Sequence, residues 1–146
     1  MLADSLKVLL ATSYVFSIKA QHFHWNVEGP DFPQLHDFFG DLYTEVYDNT
    51  IDRAAEFIRA LDHYTPGSMV RFAELSVIEE QTKIPRGELM VAELYEDNSK
   101  ILMLLNEVFP VANEENQGIA NFIAERIDAH GKHGWMLRSI LKKQRA

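Results

Sequence analysis

The sequence predicts an all-α protein, a four-helix bundle with a short extra helix in the long crossover between helices 2 and 3. Three observations carry that expectation. Four stretches of roughly 25 to 30 residues place apolar side chains at three- and four-residue steps, the period of a helix with one buried face. No stretch alternates with the two-residue period of a strand, and no repeat of solenoid length is found. Gly and Pro fall between the stretches, leaving two short connections and one long one.

Residues 3–27 read as helix 1, with Leu6, Leu9, Leu10, Tyr14, Phe16, Ile18 and Phe23 as its apolar face. Glu28-Gly29-Pro30 ends it, since Gly suits a C-terminal cap and Pro cannot extend a helix. Asp31 is placed to N-cap helix 2, with Pro33 tolerated in the first turn. Apolar residues from Leu35 to Leu61 carry that helix to about His63. Tyr64 to Ser68 is a break, Met69 to Leu75 allows only a short helix, and residues 76–85 form a connection. Helix 3 is expected to run from near Gly87 to Pro110, followed by a polar loop from Ala112 to Asn116. Helix 4 follows from about Gln117 to Leu141. Arg138, Lys142, Lys143 and Arg145 gather at its carboxyl end, where cations complement the helix dipole.

The 146 residues suit one domain, 1–146, with a real hydrophobic core. There is no cysteine, which excludes disulfides, thiolate nucleophiles, iron–sulfur clusters and Cys-zinc sites. The amino end lacks the basic flank of a signal peptide, and no apolar run approaches the roughly 18 residues of a membrane span. A cytoplasmic chain with no membrane partner is expected. The net charge of −8 argues against wrapping nucleic acid by counterion release.

Chemistry concentrates between Gln21 and Asp62. His24 is followed by eleven residues and His36, then Asp41, then Asp52-x-x-x-Glu56. Imidazole and carboxylate together are the donors that iron, manganese and zinc prefer. Asp52 and Glu56 lie about 40° apart on one helix face, and two carboxylates that close repel unless a proton or cation sits between them. The bland readings are a solvated acidic pair, Glu56 answering Arg53 or Arg59, and His24 as a core histidine. His22 points about 200° from His24 and cannot share its face. His130 and His133, beside Gly131 and Gly134, read as packing residues where a neighbouring helix comes close. None of the six histidines follows a glutamate by three positions, so the Glu-x-x-His ligands of ordinary di-iron bundles are missing.

The block HWNVEGP-x5-H from His24 to His36, with Asp52-x-x-x-Glu56 beyond it, closely resembles the Dps family of miniferritins, and the resemblance runs nearly the whole chain. IDAHGKHGWMLRSIL resembles that family's last helix, and Met69 onward its extra crossover helix. The resemblance implies a ferritin-like bundle that assembles as a hollow homododecamer, oxidises Fe(II) preferentially with hydrogen peroxide, and stores ferric iron inside. It implies a site between two-fold-related subunits, with His24 and His36 from one copy, Asp52 and Glu56 from its partner, and Asp41 beside it. Glu114, Glu115, Asn121, Glu125 and Asp128 fall where the family lines an acidic three-fold pore. Family members that bind DNA strongly use a lysine-rich extension that this sequence does not show, so weak or absent DNA binding is expected.

One departure stands out. The family places the acid after the second histidine at four residues and the Asp-x-x-x-Glu at fifteen, whereas here Asp41 is five residues on and Asp52 sixteen. A bulge or widened turn between His36 and Asp41 is therefore expected, because a π-turn absorbs one extra residue. Trp135, Tyr43 and Tyr47 read as core or interface aromatics, with sacrificial reduction as the sharper alternative, while Trp25, beside the proposed ligand His24, stays open between the two. The functional expectation is an iron-storing ferroxidase; the alternative is a Dps-like cage with lost or weak oxidation, acting structurally or in association with DNA.

Overall fold

A computed structural model describes residues 1–142. The described residues form five helices and no strand: α1 (Leu2–Asn26), α2 (Phe32–Ala60), α3 (Met69–Leu75), α4 (Gly87–Glu115) and α5 (Gln117–Leu141). The four long helices make the bundle, and α3 is the short crossover helix expected between the second and third. Helix α1 packs along α2 and α4 along α5, contacts between α1 and α4 join the two pairs, and α3 leans on α1.

The core follows from the apolar periodicity. Phe16 and Phe23 of α1, Phe39 and Leu42 of α2, Met90, Leu94 and Ile101 of α4, and Phe122 of α5 are all fully buried. Burying side chains of this size contributes about 1.5–3 kcal/mol each, which outweighs the weak propensity of any single turn. An ion pair between α1 and α4 crosses this interior. Lys19 of α1, 4% exposed, sets its Nζ 2.7 Å from Asp97 Oδ2 of α4 and 3.0 Å from Glu93 Oε2. Burial outweighs the lysine's attraction and pushes the Asp97 carboxyl above its usual value.

Three expectations change. Pro110 does not end its helix: α4 continues to Glu115, and the expected loop from Ala112 to Asn116 shrinks to Asn116 alone. Ile101, Leu105, Val108 and Ala112 are buried at steps of four, three and four, so the apolar stripe runs straight past the proline. Lacking an N–H, Pro110 forgoes only the helical bond to the carbonyl of Asn106, an exposed residue. Asn116 then serves both helices: its backbone N–H closes α4 on Ala112, and its side-chain Oδ1 accepts from Ile119 N at 3.0 Å to start α5.

The second change concerns α2. It is unbroken α-helix from Phe32 to Ala60, with no π-turn between His36 and Asp41. It ends at Ala60 rather than near His63, where Asp62 adopts a φ of 65°. The third is local: Asp31 stands at the N-cap of α2 but makes no side-chain capping bond. Lys143 and Arg145, half of the expected basic cluster, lie outside the described residues.

Candidate metal centre

The turn between α1 and α2 folds the end of one helix back on the start of the next, and this brings His24 onto His36. Their rings stack with centroids 4.0 Å apart and planes 12° from parallel. His24 Nδ1 lies 2.5 Å from the carbonyl oxygen of His36, and His36 Nδ1 lies 2.7 Å from the carbonyl oxygen of His24. A carbonyl can only accept, so both Nδ1 atoms carry the proton and donate. In the neutral ring each Nε2 is then left with its lone pair, the form in which imidazole ligates a metal. The pair is half-buried, flanked by Phe32 on His36 and Tyr43 at 5.6 Å from the His24 ring. Gly40 lies beneath His24 and leaves room for it.

The acids are elsewhere on the helix. Counting about 100° per residue from His36, Asp41, Asp52 and Glu56 stand roughly 140°, 160° and 200° around α2. All three are exposed. Asp41 lines a groove between α2 and α5 with Glu45, Lys132, His133 and Met136. Among the described residues no three carboxylates or imidazoles converge closely enough to hold a metal ion within one protomer. The histidines are thus brought together, and the acids are not joined to them in a single copy.

The remaining sequence candidates fall as follows. His22 bonds the crossover, its Nε2 lying 2.9 Å from the Lys83 carbonyl, and takes no part in the pair. Trp25, Trp135 and Tyr47 are 65%, 54% and 45% exposed, so they are not core residues of the protomer. Glu125 is tied to Arg53 of α2 at 2.6 Å.

His130 and His133 do more than pack. Glu45 accepts from Arg126 Nη1 at 2.7 Å, Arg126 Nη2 at 2.9 Å and His133 Nε2 at 2.5 Å. Burial would raise the Glu45 carboxyl, but those hydrogen bonds and the guanidinium charge outweigh it and hold it well below the usual carboxylate range. His130 bonds Asn98 of α4, whose amide nitrogen stands 3.1 Å from where a Cβ on Gly134 would be. The close approach expected at the glycines is thus met at Gly134, whereas Gly131 faces open space. Arg126, four residues before His130, was the legible signal for this network: an arginine on a buried stripe demands a carboxylate partner.

A bundle of four long helices with a crossover helix and an imidazole pair at its first turn defines a ferritin-like protein. The family described as "Ferritin-like domain" matches residues 3–146. The DNA protection during starvation protein 2 of Bacillus anthracis is 32% identical, with 88% of each chain covered. An uncharacterised low-temperature-induced protein of Nostoc is 34% identical over 92% of this chain and 76% of its own. The crystal structure of a Vibrio cholerae Dps protein, titled a member of a broad superfamily of ferritin-like diiron-carboxylate proteins, superposes with a TM-score of 0.91 at 30% identity, covering 97% of this chain and 89% of that one. The chain belongs to the Dps miniferritins, and its role is that of an iron-binding member of that family. Among the described residues no helix is long and apolar enough to cross a membrane.

Proposed function

We propose that the protein is a cytoplasmic ferroxidase and iron store, acting as a homododecamer that oxidises Fe(II) with hydrogen peroxide and holds the ferric product inside. The observation that carries this reading is the His24–His36 pair, whose Nδ1 atoms are both committed to carbonyls so that both Nε2 lone pairs are available. Iron is here substrate and cargo. His24 and His36 bind Fe(II) from one subunit, Asp52 and Glu56 of a second copy supply the negative charge that favours Fe(III), and Asp41 supports them. Two Fe(II) ions together deliver the two electrons that, with two protons, take one peroxide to two waters, so no hydroxyl radical is released.

A second reading is favoured by the course of α2. In a two-fold interface both partners present the same patch. With α2 unbroken, Asp52 and Glu56 lie on nearly the opposite side from His36. The protein is then a cage of the same assembly that binds metal at its imidazoles and oxidises it slowly. The net charge of −8 argues against tight DNA binding in either reading, and tight complexes in a low-salt gel shift would overturn that part.

Anaerobic Fe(II) loading followed by peroxide, read by ferric absorbance, separates the two. The first reading expects fast oxidation that is lost both in His24→Ala/His36→Ala and in Asp52→Asn/Glu56→Gln, with particle mass unchanged. Equal rates in wild type and the acid variant exclude Asp52 and Glu56 from the site, and a slow wild type leaves the second reading.

A further inference from the structure

Helical bundles hold metal ions in their cores with glutamate and histidine donors from facing helices. This bundle brings such donors together around a guanidinium. Arg126 is 3% exposed; Glu45 of α2 meets it with both carboxylate oxygens, and His130 Nε2 stands 3.3 Å from its Nη2. The His130 tautomer is fixed. Asn98 Nδ2 donates to the His130 carbonyl at 2.9 Å, which leaves Asn98 Oδ1 to accept from His130 Nδ1 at 2.7 Å. The Nε2 lone pair therefore points at Arg126. His133 Nε2 holds the same carboxylate, and the two imidazoles stand edge to face with centroids 5.4 Å apart. The arginine fits this cradle incompletely: its Nε is buried without a hydrogen-bond partner.

We propose that Arg126 is a resident cation closing a latent metal site inside the bundle, in which Glu45, His130 and His133 are the donors for a divalent transition ion. The planar guanidinium lies between the Glu45 carboxylate and the His130 imidazole, so the three donors share no ion while it is in place. Removing its charge leaves one carboxylate and two imidazoles, a donor set suited to zinc, cobalt or ferrous iron. The inference is independent of where iron is oxidised, because its test uses a metal that is not turned over.

The experiment is Co(II) titration of wild type and Arg126→Gln, followed by visible absorption and by equilibrium dialysis. Arg126→Gln is expected to bind one more Co(II) per chain than wild type, with a new d–d band. Arg126→Gln/His133→Ala and Arg126→Gln/His130→Ala are expected to return to the wild-type stoichiometry. A folded Arg126→Gln that takes up no additional Co(II), or additional Co(II) that persists in both double variants, overturns the proposal. Should Arg126→Gln fail to fold by itself, it is refolded with Co(II) present: folding that depends on the metal supports the site, and failure at every Co(II) concentration overturns it.

Discussion

The His24 imidazole rests on the backbone of α2 at Gly40, where an added Cβ would stand 2.9 Å from its Cε1 and 3.0 Å from its Nδ1. Those contacts are closer than van der Waals packing allows, and the ring has little freedom to move because its Nδ1 is already bonded to the His36 carbonyl. Gly40→Ala is therefore expected to break the reciprocal His24–His36 hydrogen bonds while the helix itself gains propensity. Losing the partner that orients a ligating histidine weakens metal binding by about 10–100-fold. Zn(II) or Fe(II) titration with circular dichroism as a control checks this; unchanged affinity would mean that the imidazole pair is not the metal-binding element.

The pair was legible because the twelve-residue separation spans one helix end, a Gly-Pro turn and one helix start, which returns the chain on itself. The side of α2 that carries the acids was not. Whether an extra residue is taken up by a π-turn or simply rotates everything beyond it depends on packing against α1 and α5, which sequence spacing does not encode. The course of α4 past Pro110 departs from expectation for a different reason. Proline is a stop signal in sequence, whereas Val108 and Ala112 continue the apolar stripe and decide the matter through burial. The Glu45–Arg126–His133 network went unseen because its members lie 81 and 88 residues apart in sequence.

Acid should weaken the fold in two stages. Burial first, then the charges of Arg126 and His133, hold His130 well below the ordinary histidine value of 6.5. As pH falls below 6.5 the unfolded chain takes up a proton that folded His130 refuses, so stability declines from there. Glu45, held below its ordinary 4.5, adds a second loss of the same sign as pH drops further. Thermal unfolding between pH 8 and 4 should show this descent, and His130→Gln should flatten its first part. A wild-type midpoint independent of pH between 7 and 5 would contradict the buried neutral assignment of His130.

Asn116 is the whole connection between α4 and α5, so its capping bond to Ile119 has no neighbouring loop residue to replace it. Asn116→Ala is expected to cost about 1 kcal/mol, and Asn116→Asp, which keeps an acceptor at the N-cap, much less. Urea unfolding of the two variants against wild type measures the difference. Equal midpoints for Ala and Asp would show that the side chain contributes nothing to starting α5.

The Lys19–Asp97 pair tests whether a buried charge stabilises or merely must not be orphaned. Both residues are nearly inaccessible, and among the described residues their contact at 2.7 Å is the one hydrogen bond to the Asp97 carboxylate. Lys19→Met removes the cation and leaves the buried Asp97 carboxylate without its partner, at a cost of about 3–5 kcal/mol near neutral pH. Asp97 already titrates above its usual value, so its folded form binds protons more readily than the unfolded chain. The penalty in Lys19→Met should therefore shrink as pH falls through the folded carboxyl's value, the reverse of the wild-type trend set by His130 and Glu45. Lys19→Met/Asp97→Leu removes both charges and should recover most of the loss, because the pair's attraction barely repays its desolvation. If the double variant is as unstable as the single one at pH 7, the cost lies in lost packing around Lys19 rather than in an unpaired carboxylate.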